Sequence, residues 1–119
     1  MTSDFKPPEL PKFDFSDKTT ADGKLIVYYF YSPHCQACIA LRPDMDRLEA
    51  AYKDVEWLEY DITTQNGTMA YVEFATERNL STQQRMVPQV LVNGTVITDR
   101  FNINKTLPEI LGNASPRKP

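Results

Sequence analysis

The only two cysteines of this 119-residue chain, Cys35 and Cys38, stand three positions apart, and the only histidine, His34, immediately precedes them. If the pair opens a helix, free backbone N–H groups and the helix dipole stabilise a thiolate at the first cysteine. One helical turn then brings the second thiol within reach of a mixed disulfide formed at the first. On that reading Cys35 is an acidified attacking nucleophile and Cys38 the resolving thiol, while His34 either adds positive charge or is an exposed cap residue. Other chemistry competes. The pair could be two small buried apolar residues. A closed zinc site wants four ligands, so two thiols and one adjacent histidine would need a second subunit. Two thiolates do suffice for a soft ion such as Cu(I), which keeps a copper-handling module open. Haem attachment is excluded, because Ile39 and not histidine follows Cys38.

The neighbouring sequence supplies the elements such a site needs. Leu25 to Tyr31, "LIVYYFY", is an unbroken β-branched and aromatic run, as expected of a strand covered on both faces. Ser32 and Pro33 end it, and Ala37, Cys38, Leu41, Met45, Leu48 and Tyr52 then recur at helical spacing. Pro43 should remove one backbone hydrogen bond from this helix and kink it. Val55 to Ile62 alternates as a second strand, Thr63 to Thr68 reads as a loop, and Met69 to Arg78 as a second helix. "RMVPQVLVNGTVIT" gives two strands turning at Asn93-Gly94. A short helix from Asn104 to Leu111 closes the order. Residues 1–22, with Pro7, Pro8 and Pro11, suggest an extended arm with an edge strand near Phe13 to Phe15. Residues 23–112 form one domain, and 113–119 a flexible tail. Alternating strands and helices around a hairpin imply an α/β fold, a central mixed sheet with helices on both faces.

Composition narrows the partners. Net charge is −3 and the basic residues are scattered, so nothing marks a nucleic-acid or anionic-membrane surface. No apolar run approaches the roughly 20 residues of a membrane span, and the amino terminus has no secretory apolar core, so a soluble chain without direct membrane insertion is expected. Two cysteines cannot build the bridged framework of a small secreted scaffold.

"FYSPHCQACIALRP", with Pro43 five residues after Cys38, followed by "MVPQVLVNGTVI", resembles the thioredoxin superfamily over about Lys24 to Leu111. The resemblance implies a thioredoxin-like three-layer sandwich and a monomeric thiol–disulfide oxidoreductase. It would exchange electrons with protein dithiols and be recycled by a reductase or oxidase. The only cofactor would be the redox-active Cys35–Cys38 disulfide, with no metal. It further implies that Pro88 is cis against the cysteine pair and that the Val87 backbone pairs with bound substrate. Gln36 and Ala37 between the cysteines match neither common dipeptide of the family, and His34 replaces its tryptophan. The family's buried acid falls on Tyr29 and the lysine partner on Trp57, so the usual proton-handling pair is absent. The segment from Asp61 to Pro88 is longer than usual, which would lengthen the middle helix or form a lid. "TVITDRF" stands where a glutathione-binding Gly-Gly would be, which disfavours glutathione. A redox-inactive interaction domain on the same fold remains a third reading.

Five of the six asparagines, Asn66, Asn79, Asn93, Asn104 and Asn113, begin Asn-x-Ser/Thr triplets. With 16 serines and threonines in the chain, chance would give about one of the six. Glycosylation on an outer surface explains the excess, and so does turn and cap chemistry. The first favours an extracytoplasmic location, the second leaves a cytoplasmic one equally open.

Overall fold

A computed structural model describes residues 15–114. Four strands, β1 (Ile26–Tyr31), β2 (Glu56–Asp61), β3 (Gln89–Val92) and β4 (Thr95–Thr98), form one sheet in the order β2-β1-β3-β4. β1 pairs in parallel with β2 and antiparallel with β3, which turns back antiparallel into β4. Helices α1 (Gln36–Ala51), α2 (Gln65–Glu77) and α3 (Arg100–Ala114) lie between and after them, and a 3-10 turn spans Thr82–Gln84. This is the mixed α/β architecture expected.

Alternation along β1 divides the core. Val27 and Tyr29 face Leu41 and Met45 of α1 and Ile103, Leu107 and Leu111 of α3. Ile26, Tyr28 and Phe30 face Ala70 and Phe74 of α2. A strand buried on both faces gains on the order of 1.5–3 kcal/mol per large apolar side chain, which is why its run has no polar interruption. β2 lies at the sheet edge and is only half-buried throughout.

Several boundaries differ from those expected. The supposed loop after β2 is the start of α2, because Thr64 caps it by accepting from the Gly67 N–H at 2.9 Å. Gly67 lies so close to β2 that an added Cβ would sit 1.8 Å from the Asp61 carbonyl oxygen. A glycine that reads as a turn signal is therefore a helix–strand contact. α3 begins at Arg100, ahead of the expected Asn104, because Asp99 Oδ1 accepts from the N–H groups of Phe101 (2.8 Å) and Asn102 (3.0 Å). It continues past Leu111 through Gly112, Asn113 and Ala114 into the supposed tail. α1 is continuous across Pro43. The hairpin turns at Asn93 (φ 51) and Gly94 (φ 80), both left-handed, as a type I′ connection requires.

Of the expected edge strand, Phe13 and Asp14 lie outside the described residues and Phe15 is not in a strand. Phe15 is buried, edge-on to Tyr28 with ring centroids 5.0 Å apart. Part of the arm thus belongs to the domain: Lys18 O accepts from the Ile26 N–H at 3.0 Å, and Thr19 bridges Leu25.

Candidate redox site

Cys35 sits where β1 has ended and α1 begins. Its backbone is extended (φ −90, ψ 122) and its Sγ accepts from the Cys38 N–H at 3.1 Å, so the thiol itself caps the helix. Cys35 is half-buried and Cys38 is 4% exposed, both as free thiols. Burial, reinforced by the hydrogen bond with Cys35, pushes the Cys38 thiol up to about 12. Within one helical turn, then, one thiol is reachable and the other is enclosed and protonated.

The Val87–Pro88 peptide bond is cis, and the Val87 carbonyl accepts from Cys35 Sγ at 3.8 Å. Two segments 52 residues apart in sequence meet there. Pro88 is buried and Val87 half-buried, whereas His34 and Gln36 are exposed and Ala37 is half-buried. The His34 N–H donates to Ser32 Oγ at 3.1 Å. His34 also helps hold the Asp61 carboxyl below its ordinary range, after the larger effect of hydrogen bonds from Thr63.

Two features of the surroundings escaped the sequence reading. Gln89, next to Pro88, is fully buried in a predominantly apolar strand. Its side-chain oxygen accepts from the Tyr71 hydroxyl at 2.8 Å, while its nitrogen donates to Gln84 O (3.1 Å) and Thr98 Oγ1 (2.9 Å). The long connection after α2 is thereby fastened to the sheet beside the proline, with Ser81 capping its 3-10 turn. A buried amide in so apolar a run demands such partners, and that demand was the available signal.

The second feature lies under α1. Arg42 grips Glu59 with both terminal nitrogens (3.1 Å each), Glu49 at 3.1 Å and Asp46 through Nε at 3.0 Å. Glu59 is the register partner of Tyr29, so a carboxylate stands one strand away from the position where the family's acid was sought. Burial, a hydrogen bond shared with Glu59 and Glu59's charge push the Glu49 carboxyl up to about 7. Burial acts to raise Glu59 too, but hydrogen bonds from Glu49 and Arg42 outweigh it and hold Glu59 low. Tyr29 itself is buried, with the Arg42 guanidinium carbon 5.9 Å from its ring centroid. Burial drives its phenol well above the ordinary value, with the nearby Cys38 adding to the rise.

A cavity of about 480 Å³ opens between these groups, walled by Tyr29, Tyr31, Pro33, Ile39 and Pro43 and reaching Cys38, Arg42 and Asp46. It gives the enclosed thiol an approach for water distinct from the exposed edge of Cys35.

Among the described residues no cluster of three or more histidine, cysteine and acidic side chains is placed to hold a metal, and no helix is long and apolar enough to cross a membrane.

Comparison with known proteins agrees with this geometry. The family model for thioredoxin matches residues 7–89. Thioredoxin from Fasciola hepatica superposes with a TM-score of 0.55 at 18% identity, covering 77% of this chain and 82% of that one. Thioredoxin NaTrxh from Nicotiana alata gives 0.54 at 20% identity, covering 76% and 73%. Thioredoxin f2 from Chlamydomonas reinhardtii gives 0.53 at 18% identity, covering 78% and 81%. At such identities these likenesses speak for the fold. No curated protein matches the chain by sequence.

Proposed function

The chain belongs to the thioredoxin family, and on that premise we propose that it is a thiol–disulfide oxidoreductase acting on protein dithiols and disulfides, with Cys35 attacking and Cys38 resolving. One observation carries the assignment: Cys35 Sγ is accessible at the helix cap, 3.1 Å from a backbone N–H, while Cys38 is enclosed. A substrate disulfide can reach only the first sulfur. Cys35 as thiolate attacks one substrate sulfur, a mixed disulfide forms, and the substrate's other sulfur leaves as a thiolate. Cys38 then loses its proton and attacks Cys35 Sγ, closing the Cys35–Cys38 disulfide and releasing the second substrate thiolate. Two electrons pass from the chain to the substrate, and the reverse sequence oxidises a dithiol.

The Val87 carbonyl beside Cys35 is an acceptor to which an extended substrate backbone would pair during the exchange, with Pro88 holding the segment against the cap. His34 and Gln36 form the exposed rim, with the half-buried Ala37 behind them. Cys38's proton needs an acceptor, and the Tyr29 phenol, pushed higher by burial, is a poor base at neutral pH. Water in the cavity beside Cys38 takes that part. Oxidised chain returns to the dithiol form through a reductase, or reduced chain to the disulfide through an oxidase.

Mixing the reduced protein with insulin tests the activity. Two thiols should disappear from this chain for every two that appear on insulin, with Cys35 and Cys38 recovered as a disulfide. Absence of exchange from folded, reduced protein would overturn the proposal.

A further inference from the structure

The Asn-x-Ser/Thr excess is not used by the redox chemistry, and the structure separates its two explanations site by site. All five acceptor asparagines are exposed. Backbone geometry accounts for two of them. Asn79 (φ 57) and Asn93 (φ 51) occupy left-handed positions that asparagine tolerates better than most residues. Ser81, which completes the Asn79 triplet, caps the 3-10 turn by accepting from the Gln84 N–H at 3.3 Å. Turn and cap chemistry is a full account there.

It fails for Asn66 and Asn104. Asn66 lies in the first turn of α2, where Thr64 is already the cap, and Asn104 lies in the second turn of α3, whose start Asp99 caps. Asn113, next to last in α3, stands where helix ends commonly take asparagine. Asparagine inside a helix is disfavoured by up to about 0.7 kcal/mol relative to alanine, so an exposed helical face has no local reason to hold one. In the first triplet the intervening Gly67 is explained by its approach to Asp61, and Thr68 donates to Ile62 O at 2.6 Å. Asn66 itself is left without such a reason. Neither Asn66 nor Asn104 lines the cavity beside Cys38, so a bulky group on each is compatible with access to the thiols.

We propose that Asn66 and Asn104 are N-glycosylation sites, and hence that this domain works on the outer side of a membrane. The donor is a lipid-diphosphate-linked oligosaccharide. The asparagine amide nitrogen forms a bond to the anomeric carbon of the sugar and loses a proton to the transferase, the bond from that carbon to the diphosphate oxygen breaks, and the lipid diphosphate leaves. Nothing is oxidised or reduced, and the inference is independent of the redox assignment.

Peptide mass spectrometry on the protein isolated from the cells that make it provides the test. The peptides containing Asn66 and Asn104 should carry saccharide mass increments on the asparagine. Finding both only at unmodified mass would overturn the proposal, and so would modification confined to Asn79, Asn93 and Asn113. In the same cells, Thr106→Ala should abolish the increment at Asn104 while Thr106→Ser retains it. An increment that survives Thr106→Ala would show that the triplet is not what is recognised.

Discussion

The two faces of the sheet are built from different materials. Against α2, Phe15, Tyr28, Phe30, Tyr60 and Phe74 pack ring on ring, with Phe30 stacked on Phe74 at 4.7 Å and on Tyr60 at 5.3 Å. Against α1 and α3 the core is mainly aliphatic, and at one end it gives way to Arg42, its three carboxylates, Tyr29 and the enclosed Cys38. A packed aromatic face resists rearrangement and tolerates little charge, so it fixes β1 from behind. The other face can then hold a thiol, a guanidinium and a cavity in defined positions. Stability and chemistry are assigned to opposite sides of one strand.

That division can be broken by substitution. Cys35→Ser should lower disulfide exchange by roughly a thousandfold or more, since the one remaining thiol, Cys38, is buried. Serine is itself a good helix cap, so unfolding free energy should stay within about 1 kcal/mol. A large loss of stability, measured by denaturant unfolding, would show that the site and the scaffold are not separable. Phe74→Ala, on the aromatic face, should do the converse. It should cost about 3–5 kcal/mol of stability, while the protein that remains folded exchanges disulfides at the normal rate.

Glu49 sharpens the comparison on the charged side. Its carboxyl titrates near 4.5 when unfolded and at about 7 in the fold, so the folded chain holds that proton to higher pH. The stabilisation is therefore complete below about pH 4.5 and lost as pH rises to about 7. Because Glu49 is partly exposed, the loss should be about 1–2 kcal/mol. Unfolding of Glu49→Gln followed across that window should lack this fall, and a pH profile unchanged by the substitution would refute it. Tyr29→Phe should have the smallest effect: the resolving step should stay within about threefold, roughly 0.7 kcal/mol of barrier. A tenfold fall in stopped-flow measurement, with the fold intact, would place the Tyr29 hydroxyl on the proton's path.

The chain order carries most of this architecture, and the reasons are local. Leu25 to Tyr31 can only be a doubly covered strand, and Cys35 to Tyr52 shows its helical period despite Pro43. The hairpin is signalled by Asn93-Gly94, and the cysteine spacing singles out the pair to which the redox chemistry is assigned by proposal. What could not be read depends on contacts between distant segments. Gly67 is a helix residue because Asp61 lies against it, and Asp99 starts α3 early from a left-handed position (φ 71). Arg42 and Glu59 meet because α1 folds over β2, and no spacing in the sequence joins positions 42 and 59. The sequence pointed to a missing acid at Tyr29, while the structure places a carboxylate on the neighbouring strand.

The central claim, that Cys35 attacks and Cys38 resolves, is tested most directly by trapping. Cys38→Ser protein, reduced and then mixed with a disulfide-bonded substrate protein, should accumulate a mixed disulfide whose link maps to Cys35, whereas Cys35→Ser should trap almost none. Accumulation through Cys38 in the Cys35→Ser protein, with no trap at Cys35, would contradict the account.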